Sequence, residues 1–248
     1  MGNLYTKRIL VTGAATGIGR STAIRVAAEG ARVAAFDVND AEAGSTLKTI
    51  ERAGGTARYW HVDVSSEADV STAVEEAAVW LGHGVDVLIH LAGMLTGAHV
   101  DVTEVTEEDW NLVIDVNLKG SFLVVKHVAT HMKRQKSGVI ILTSSSGGVL
   151  GASSSYAYGS SKGGVHGFAM TLDAQLSKLG IRVNEVMPGS IDTPLKVAAT
   201  EESYRSTGDE EAYRRTLAVL ASPDGVASVI AFLASDDASY VRGSIRTI

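Results

Sequence analysis

Short runs of apolar, often β-branched residues recur along the chain at Ile9–Thr12, Val33–Phe36, Ala57–Val62, Val85–Leu91, Val139–Thr143 and Ile181–Val186. Between them lie longer stretches with apolar residues at helical spacing, near 18–29, 41–53, 67–81, 108–134, 157–179 and 224–234. A strand that is apolar along its whole length, rather than at every second position, is expected where both faces of a sheet are covered. Strand and helix alternating in this order imply right-handed βαβ crossovers. The pattern therefore predicts an α/β protein, a single domain over residues 1–248 built on a doubly wound parallel sheet with helices on both faces. Thr106-Glu107-Glu108-Asp109 reads as a helix start, a hydroxyl cap followed by acids in the first turn. Gly180 follows Ser177-Lys178-Leu179 as a glycine just past a helix end would. Only 190–222 lacks a clear pattern, and its polar sequence has two readings, a lid over a site or a solvated surface helix.

Composition narrows the class. With 248 residues, 45% of them apolar, the chain can bury a sizeable core. Its net charge of −6 comes from interspersed acids and bases, with no basic stripe for nucleic acid and no polybasic run for a membrane surface. No segment approaches the ~18 to 20 apolar residues of a membrane span. The absence of cysteine rules out disulfides and thiolate chemistry and, with no apolar leader at the start, points to a cytoplasmic protein. His127 and His131 stand one helical turn apart but have no third ligand placed by sequence, so no metal is expected. Trp60, Trp80 and Trp110 read as packing residues.

Candidate chemistry sits where the predicted strands end. Thr12-Gly13-Ala14-Ala15-Thr16-Gly17-Ile18-Gly19 joins the first strand to the first helix. There Gly13 permits a tight turn, Gly17 lets backbone approach a pyrophosphate, and Gly19 lets the helix pack close to the strand. Asp37 ends the second strand, where a carboxylate accepts ribose hydroxyls and repels a 2′-phosphate; no Lys or Arg stands at 16 or 38. This predicts NAD rather than NADP as the cofactor. Asp63, after the third strand, is placed either to meet an adenine amino group or to cap the next helix. Tyr158 and Lys162 are four apart and share a helix face. A phenol needs a neighbouring cation to release its proton near neutral pH. Thr143-Ser144-Ser145-Ser146 offers hydroxyls at the end of the fifth strand, with no histidine pairing or G-x-S-x-G elbow to make a hydrolytic nucleophile.

These motifs, with Ala92-Gly93, Asn117 in Asp115-Val116-Asn117-Leu118-Lys119-Gly120, and Pro188-Gly189, occur in the order of a short-chain dehydrogenase/reductase of about 250 residues, which the whole chain resembles. The resemblance implies a Rossmann-type fold and reversible hydride transfer between a nicotinamide and a secondary alcohol or ketone. It implies Tyr158 as general acid/base, Lys162 as the group that lowers its pKa and binds the nicotinamide ribose, Ser145 polarising the substrate oxygen, and Asn117 holding a water. Ser145 is selected because the family's serine stands 13 residues before the tyrosine. The implied cofactor contacts are Gly13, Thr16, Gly17, Ile18, Gly19, Asp37, Asp63, Val64, Ala92, Gly93, Tyr158, Lys162, Gly189, Ile191 and Thr193. A homotetramer through 108–134 and 157–179 is also implied, with Leu112, Val116, Phe122, Val165, Phe168 and Leu172 as compatible apolar residues.

Two departures stand out: His90-Leu91 replaces the family's usual Asn-Asn, and the chain ends at Ile248, where the family usually continues with Asp-Gly-Gly. The expected substrate pocket comprises Met94-Leu95, Ser146-Gly147, Ala152–Tyr156, Met187 and 190–222. That lining favours an uncharged alcohol, diol or cyclic ketone. Lys196, Arg205, Arg214 and Arg215 would favour an anionic one if they turned inward. A non-catalytic NAD-binding scaffold on the same fold is the alternative, against which the four catalytic-type side chains argue.

Overall fold

A computed structural model describes residues 3–248, so the first two residues of the expected domain lie outside it. Seven strands form one sheet in the order β3-β2-β1-β4-β5-β6-β7, every neighbouring pair parallel. They are β1 (Arg8–Thr12), β2 (Arg32–Asp37), β3 (Thr56–His61), β4 (Val87–His90), β5 (Gly138–Thr143), β6 (Ile181–Met187) and β7 (Gly243–Arg246). The chain starts in the middle, builds outward to β3, then crosses back to lay β4 against the other side of β1. The carboxyl ends of β1 and β4 thus flank the point where the winding reverses, and a crevice opens there.

The all-apolar strands do bury both faces. One core layer joins Leu10, Leu88, Ile140 and Val183 to helices α3 (Glu67–Leu81), α5 (Gly120–Gln135) and α7 (Tyr156–Leu176). The other joins Ile9, Val11, Val33 and Ile141 to α1 (Gly17–Ala28), α2 (Asp40–Arg52) and α10 (Pro223–Ala234). Trp60 packs edge-on between Phe36 and Trp80, at centroid distances of 5.9 and 5.8 Å.

Differences from the expected elements have local causes. Strand β4 is shorter than the run 85–91 because Val85 gives both backbone groups to the Gln135 side chain. The long helix expected over 108–134 is divided into α4 (Glu107–Ile114), a π-helical turn over Asp115–Lys119, and α5. Thr106 caps α4 as expected, accepting from Asp109 N. The unpatterned stretch 190–222 is largely helical, with α8 (Pro194–Thr207) and α9 (Glu210–Ala218) joined at Gly208. A single turn, α6 (Ser146–Val149), follows β5.

Candidate active site

The crevice is a cleft of about 1080 Å³. Every catalytic and cofactor-contact residue anticipated from sequence lines it except Asn117. At one end the β1–α1 loop is locked against β4: Gly13 has φ +68°, and a Cβ there would lie 2.8 Å from Ala92 N. A Cβ on Gly19 would lie 1.8 Å from Gly13 O, so strand and helix meet only with glycine at that contact. Helix α1 begins at this loop with no side-chain cap on its first N–H groups and no acid in its first turn. By contrast, α2, α3, α4 and α7 to α10 each have a side chain accepting from a first-turn N–H. An uncapped helix start lined by Thr16, Gly17, Ile18 and Gly19 is suited to a phosphate anion.

Asp37 is fixed at the edge of this region. Its Oδ2 accepts from Ala15 N at 2.9 Å and its Oδ1 from Asn39 N at 3.0 Å. Asn39, not Asp37, caps α2. A carboxylate has about four acceptor positions, so two remain for ribose hydroxyls. Beside it Val38 is exposed and uncharged. Asp63 lines the cleft while its Oδ1 closes the turn into α3 through Ser65 N and Oγ; the cap of α3 is Ser66, not Asp63. The cleft therefore fits a dinucleotide: an anion-ready helix start, a carboxylate at one edge, and close backbone approach between.

The opposite wall carries Ser145, Tyr158 and Lys162. Ser145 leaves the end of β5, and its Oγ accepts from Gly147 N. Ser155 caps α7 by accepting from Tyr158 N, which places Tyr158 and Lys162 in the first two turns. Lys162 is buried, its Nζ donating to Thr143 O at 2.8 Å and lying 5.6 Å from the centre of the Tyr158 ring. Burial pushes the Lys162 ammonium down to about 8, against the pull of the Glu185 carboxylate. Burial holds the Tyr158 phenol above its ordinary value, and the opposing hydrogen bond comes from Ser145. The Lys162 ammonium is directed to the Thr143 carbonyl at the end of β5.

Asn117 sits in the π-helical turn and is buried. Its Oδ1 accepts from Met94 N, and its Nδ2 donates to Met94 O and Ser161 Oγ. The side chain thus ties the loop after β4 to α7 behind the wall. A Cβ on Gly93 would lie 3.3 Å from Asn117 Oδ1 and 3.4 Å from Lys162 Nζ, so Gly93 lets that loop lie directly over both. His90 is buried with Nδ1 2.9 Å from Thr12 Oγ1, which also accepts from Leu91 N and Ala92 N. With those two donors on its oxygen, Thr12 gives its own proton to Nδ1, placing the imidazole hydrogen on Nε2, an atom without a partner. Burial and Lys162 push His90 down to about 3.

The substrate end is only partly as expected. Met94, Leu95, Ser146, Gly147 and 152–154 line the cleft, whereas Tyr156 points to solvent at 50% exposure and Met187 is buried in the sheet. Lys196 lines the cleft, but Arg205 pairs with Glu201 and Arg214 with Glu210 on the exposed side of α8 and α9, and Arg215 is exposed. His127 and His131 face two different acids, Glu67 and Glu75. Sequence reasoning passed over Glu185, whose signal was a lone acid in a strand buried at every position.

A parallel doubly wound sheet with a dinucleotide-shaped cleft at its switch point and a Ser-Tyr-Lys wall defines a nicotinamide-type oxidoreductase scaffold. The short chain dehydrogenase family model matches residues 7–203. A 3-oxoacyl-[acyl-carrier-protein] reductase of Thermotoga maritima is 37% identical over 242 residues, covering 98% of this chain and 96% of its own. Among solved structures, a variant actinorhodin polyketide ketoreductase with NADPH matches with TM-score 0.92 at 32% identity, covering 100% of this chain and 97% of its own. An NAD+-bound xylitol dehydrogenase matches with TM-score 0.91 at 29% identity, covering 98% of each chain. The chain belongs to the short-chain dehydrogenases.

Proposed function

We propose that this protein is an NAD(H)-dependent oxidoreductase that interconverts a secondary alcohol and a ketone. The observation that carries this reading is the convergence of Ser145, Tyr158 and Lys162 on one wall of a cleft whose other end carries the uncapped start of α1 and Asp37. A bound nicotinamide would supply or accept the hydride. Tyr158 Oη gives the proton to the substrate oxygen in reduction and removes it in oxidation. Ser145 Oγ hydrogen-bonds the same oxygen and favours the alkoxide-like charge that builds there. Lys162 places a cation behind the phenol, and Asn117 holds the loop that covers it. NAD is favoured over NADP because a 2′-phosphate at Asp37 would meet a carboxylate with Val38 beside it and no cation at position 16. Residues 194–218 form the substrate lid, and Lys196 within it favours a substrate with acidic character over the neutral one expected from the apolar lining.

The test is NADH oxidation with a panel of ketones and keto acids, and NAD reduction with the matching alcohols. Tyr158→Phe lowers kcat by ~10²–10⁴-fold, as loss of a general acid/base does, with NADH binding retained. A variant that turns over at the parental rate would overturn the mechanism.

A further inference from the structure

The edge of the sheet beside Asp37 carries a cluster that the hydride chemistry does not use. Tyr59 and His61 lie on β3, the outermost strand next to β2, and share one face of it. Asp40 opens α2 just after Asp37. Tyr59 Oη lies 2.8 Å from the main-chain oxygen of Asp37 and 2.6 Å from Asp40 Oδ1. His61 Nδ1 donates to the same Asp40 oxygen at 2.8 Å. Val62 N donates to the Asp37 main-chain oxygen at 2.9 Å, so both lone pairs of that carbonyl are occupied. Burial, and after it Asp40, holds the Tyr59 phenol above its ordinary value, so the hydroxyl stays a donor. Hydrogen bonds from Tyr59 and His61 hold the Asp40 carboxyl below its ordinary value, so it stays an acceptor. One phenolic proton shared between a carbonyl and a carboxylate makes a three-centre bond. It ties both ends of the turn 37–40 to one point on the neighbouring strand.

That turn presents the Asp37 carboxylate. Oδ1 is held from within it by Asn39 N, and Oδ2 by Ala15 N of the glycine loop. We propose that Tyr59, braced by Asp40 and His61, is a positioning residue for the cofactor, pinning the turn that presents Asp37 and so sharpening the preference for NADH over NADPH. This rests on the reading of Asp37 as the ribose acceptor and deepens it: Asp37 touches the cofactor, while Tyr59 acts through Asp37. None of Tyr59, Asp40 and His61 lines the cleft, so their influence on a dinucleotide passes through the turn. Binding groups work when held to within about 0.5 Å of the productive geometry by the shell behind them. A pinned carboxylate keeps its free acceptor positions on the ribose hydroxyls and cannot retreat from a 2′-phosphate. A loosened one loses part of the first and concedes the second.

The experiment is direct binding of NADH and NADPH, followed by dihydronicotinamide fluorescence, to the parent, Tyr59→Phe and Asp37→Ala, with melting temperature recorded for each. Tyr59→Phe keeps the ring and the net charge and removes the hydroxyl. NADH binding should weaken roughly three- to tenfold, the scale of one hydrogen bond. NADPH binding should weaken less, so the ratio of the two dissociation constants narrows. A purely structural role would lower the melting temperature and leave that ratio where it is, and this result would overturn the proposal. Asp40→Asn decides the matter if Tyr59→Phe does not fold. It exchanges a charge-assisted bond for a neutral one of about half the strength, read in about 0.5 M salt to screen the lost charge. The ratio should then narrow in the same sense by a smaller factor, and an unchanged ratio there also overturns the proposal. An unchanged ratio in Asp37→Ala would instead overturn the reading of Asp37 beneath it.

Discussion

At the scale of single residues, burial shifts the polar groups of the site against their charged forms, as at Lys162, Tyr158 and His90. His90 is the clearest case. Its ordinary value of 6.5 falls to about 3 inside the sheet, so the unfolded chain takes up a proton across this range and the folded chain does not. Stability therefore rises with pH through that window and is lost as pH falls from about 6.5 toward 3, by on the order of 5 kcal/mol at its acid end. Asparagine, which the related family usually has there, can keep a bond to Thr12 Oγ1 without titrating. His90→Asn is expected to move the acid-unfolding midpoint to lower pH while changing stability at pH 7 by about 1 kcal/mol or less. An acid transition identical to the parent's, followed by circular dichroism, would show that other groups set it.

Among the elements, what was legible followed from how uniformly each is buried. Strands β1, β2, β4 and β5 announce themselves because both faces are covered and their central positions are apolar, and β6 does so through Ile181, Val183, Val186 and Met187 despite Arg182, Asn184 and Glu185. Strand β7 was invisible because Gly-Ser-Ile-Arg is an exposed edge with nothing to distinguish it from a loop. The turn at Asp115–Lys119 was hidden for another reason: side-chain spacing over 108–134 reads as one helix, and the extra residue per turn is a backbone matter. The stretch holding α8 and α9 stood between a lid and a solvated surface helix because the two helices bury almost nothing on one face; Thr200 is their single buried residue. They hold each other instead, Tyr204 against Tyr213 with centroids 5.1 Å apart. Tyr213→Ala therefore loosens α9 from α8 at a cost of ~1 kcal/mol. The substrate KM should rise severalfold with NADH affinity unchanged; a parallel loss of NADH affinity would mean that the two helices also hold the dinucleotide end.

Across the whole molecule, the proposed catalytic side chains were picked out by the motif order of the family that the chain resembles, and Ser145, Tyr158 and Lys162 come together on one wall because they lie at a strand end and on a single helix face. The surface was less legible. Of the apolar residues compatible with a tetramer, Val165 is core, Val116, Phe168 and Leu172 are partly buried, and Leu112 and Phe122 remain 47% exposed each. Phe122 stands edge-on to Phe168 across α5 and α7, 6.4 Å apart. An exposed Phe122 backed by a half-buried Phe168 on the adjoining helix favours self-association, and Phe122→Asp should shift the species seen by light scattering to a smaller one. Unchanged mass in the variant would place any interface elsewhere.

The cleft itself gives a test independent of turnover. It joins elements from both halves of the sheet, so a ligand spanning it stabilises the whole fold by mass action. Near 100 times its dissociation constant, NADH should contribute about 2.7 kcal/mol, a rise of roughly 5–10 °C in melting temperature for a chain of this size. NADPH at the same concentration should give clearly less, because its 2′-phosphate would lie against Asp37, whose two oxygens are already anchored by Ala15 and Asn39 and cannot swing away without breaking both bonds. Asp37→Ala should narrow the gap between the two cofactors from both sides, weakening NADH through lost ribose bonds and relieving NADPH of the repulsion. Equal shifts for NADH and NADPH in the parent protein would remove Asp37 as the discriminating group.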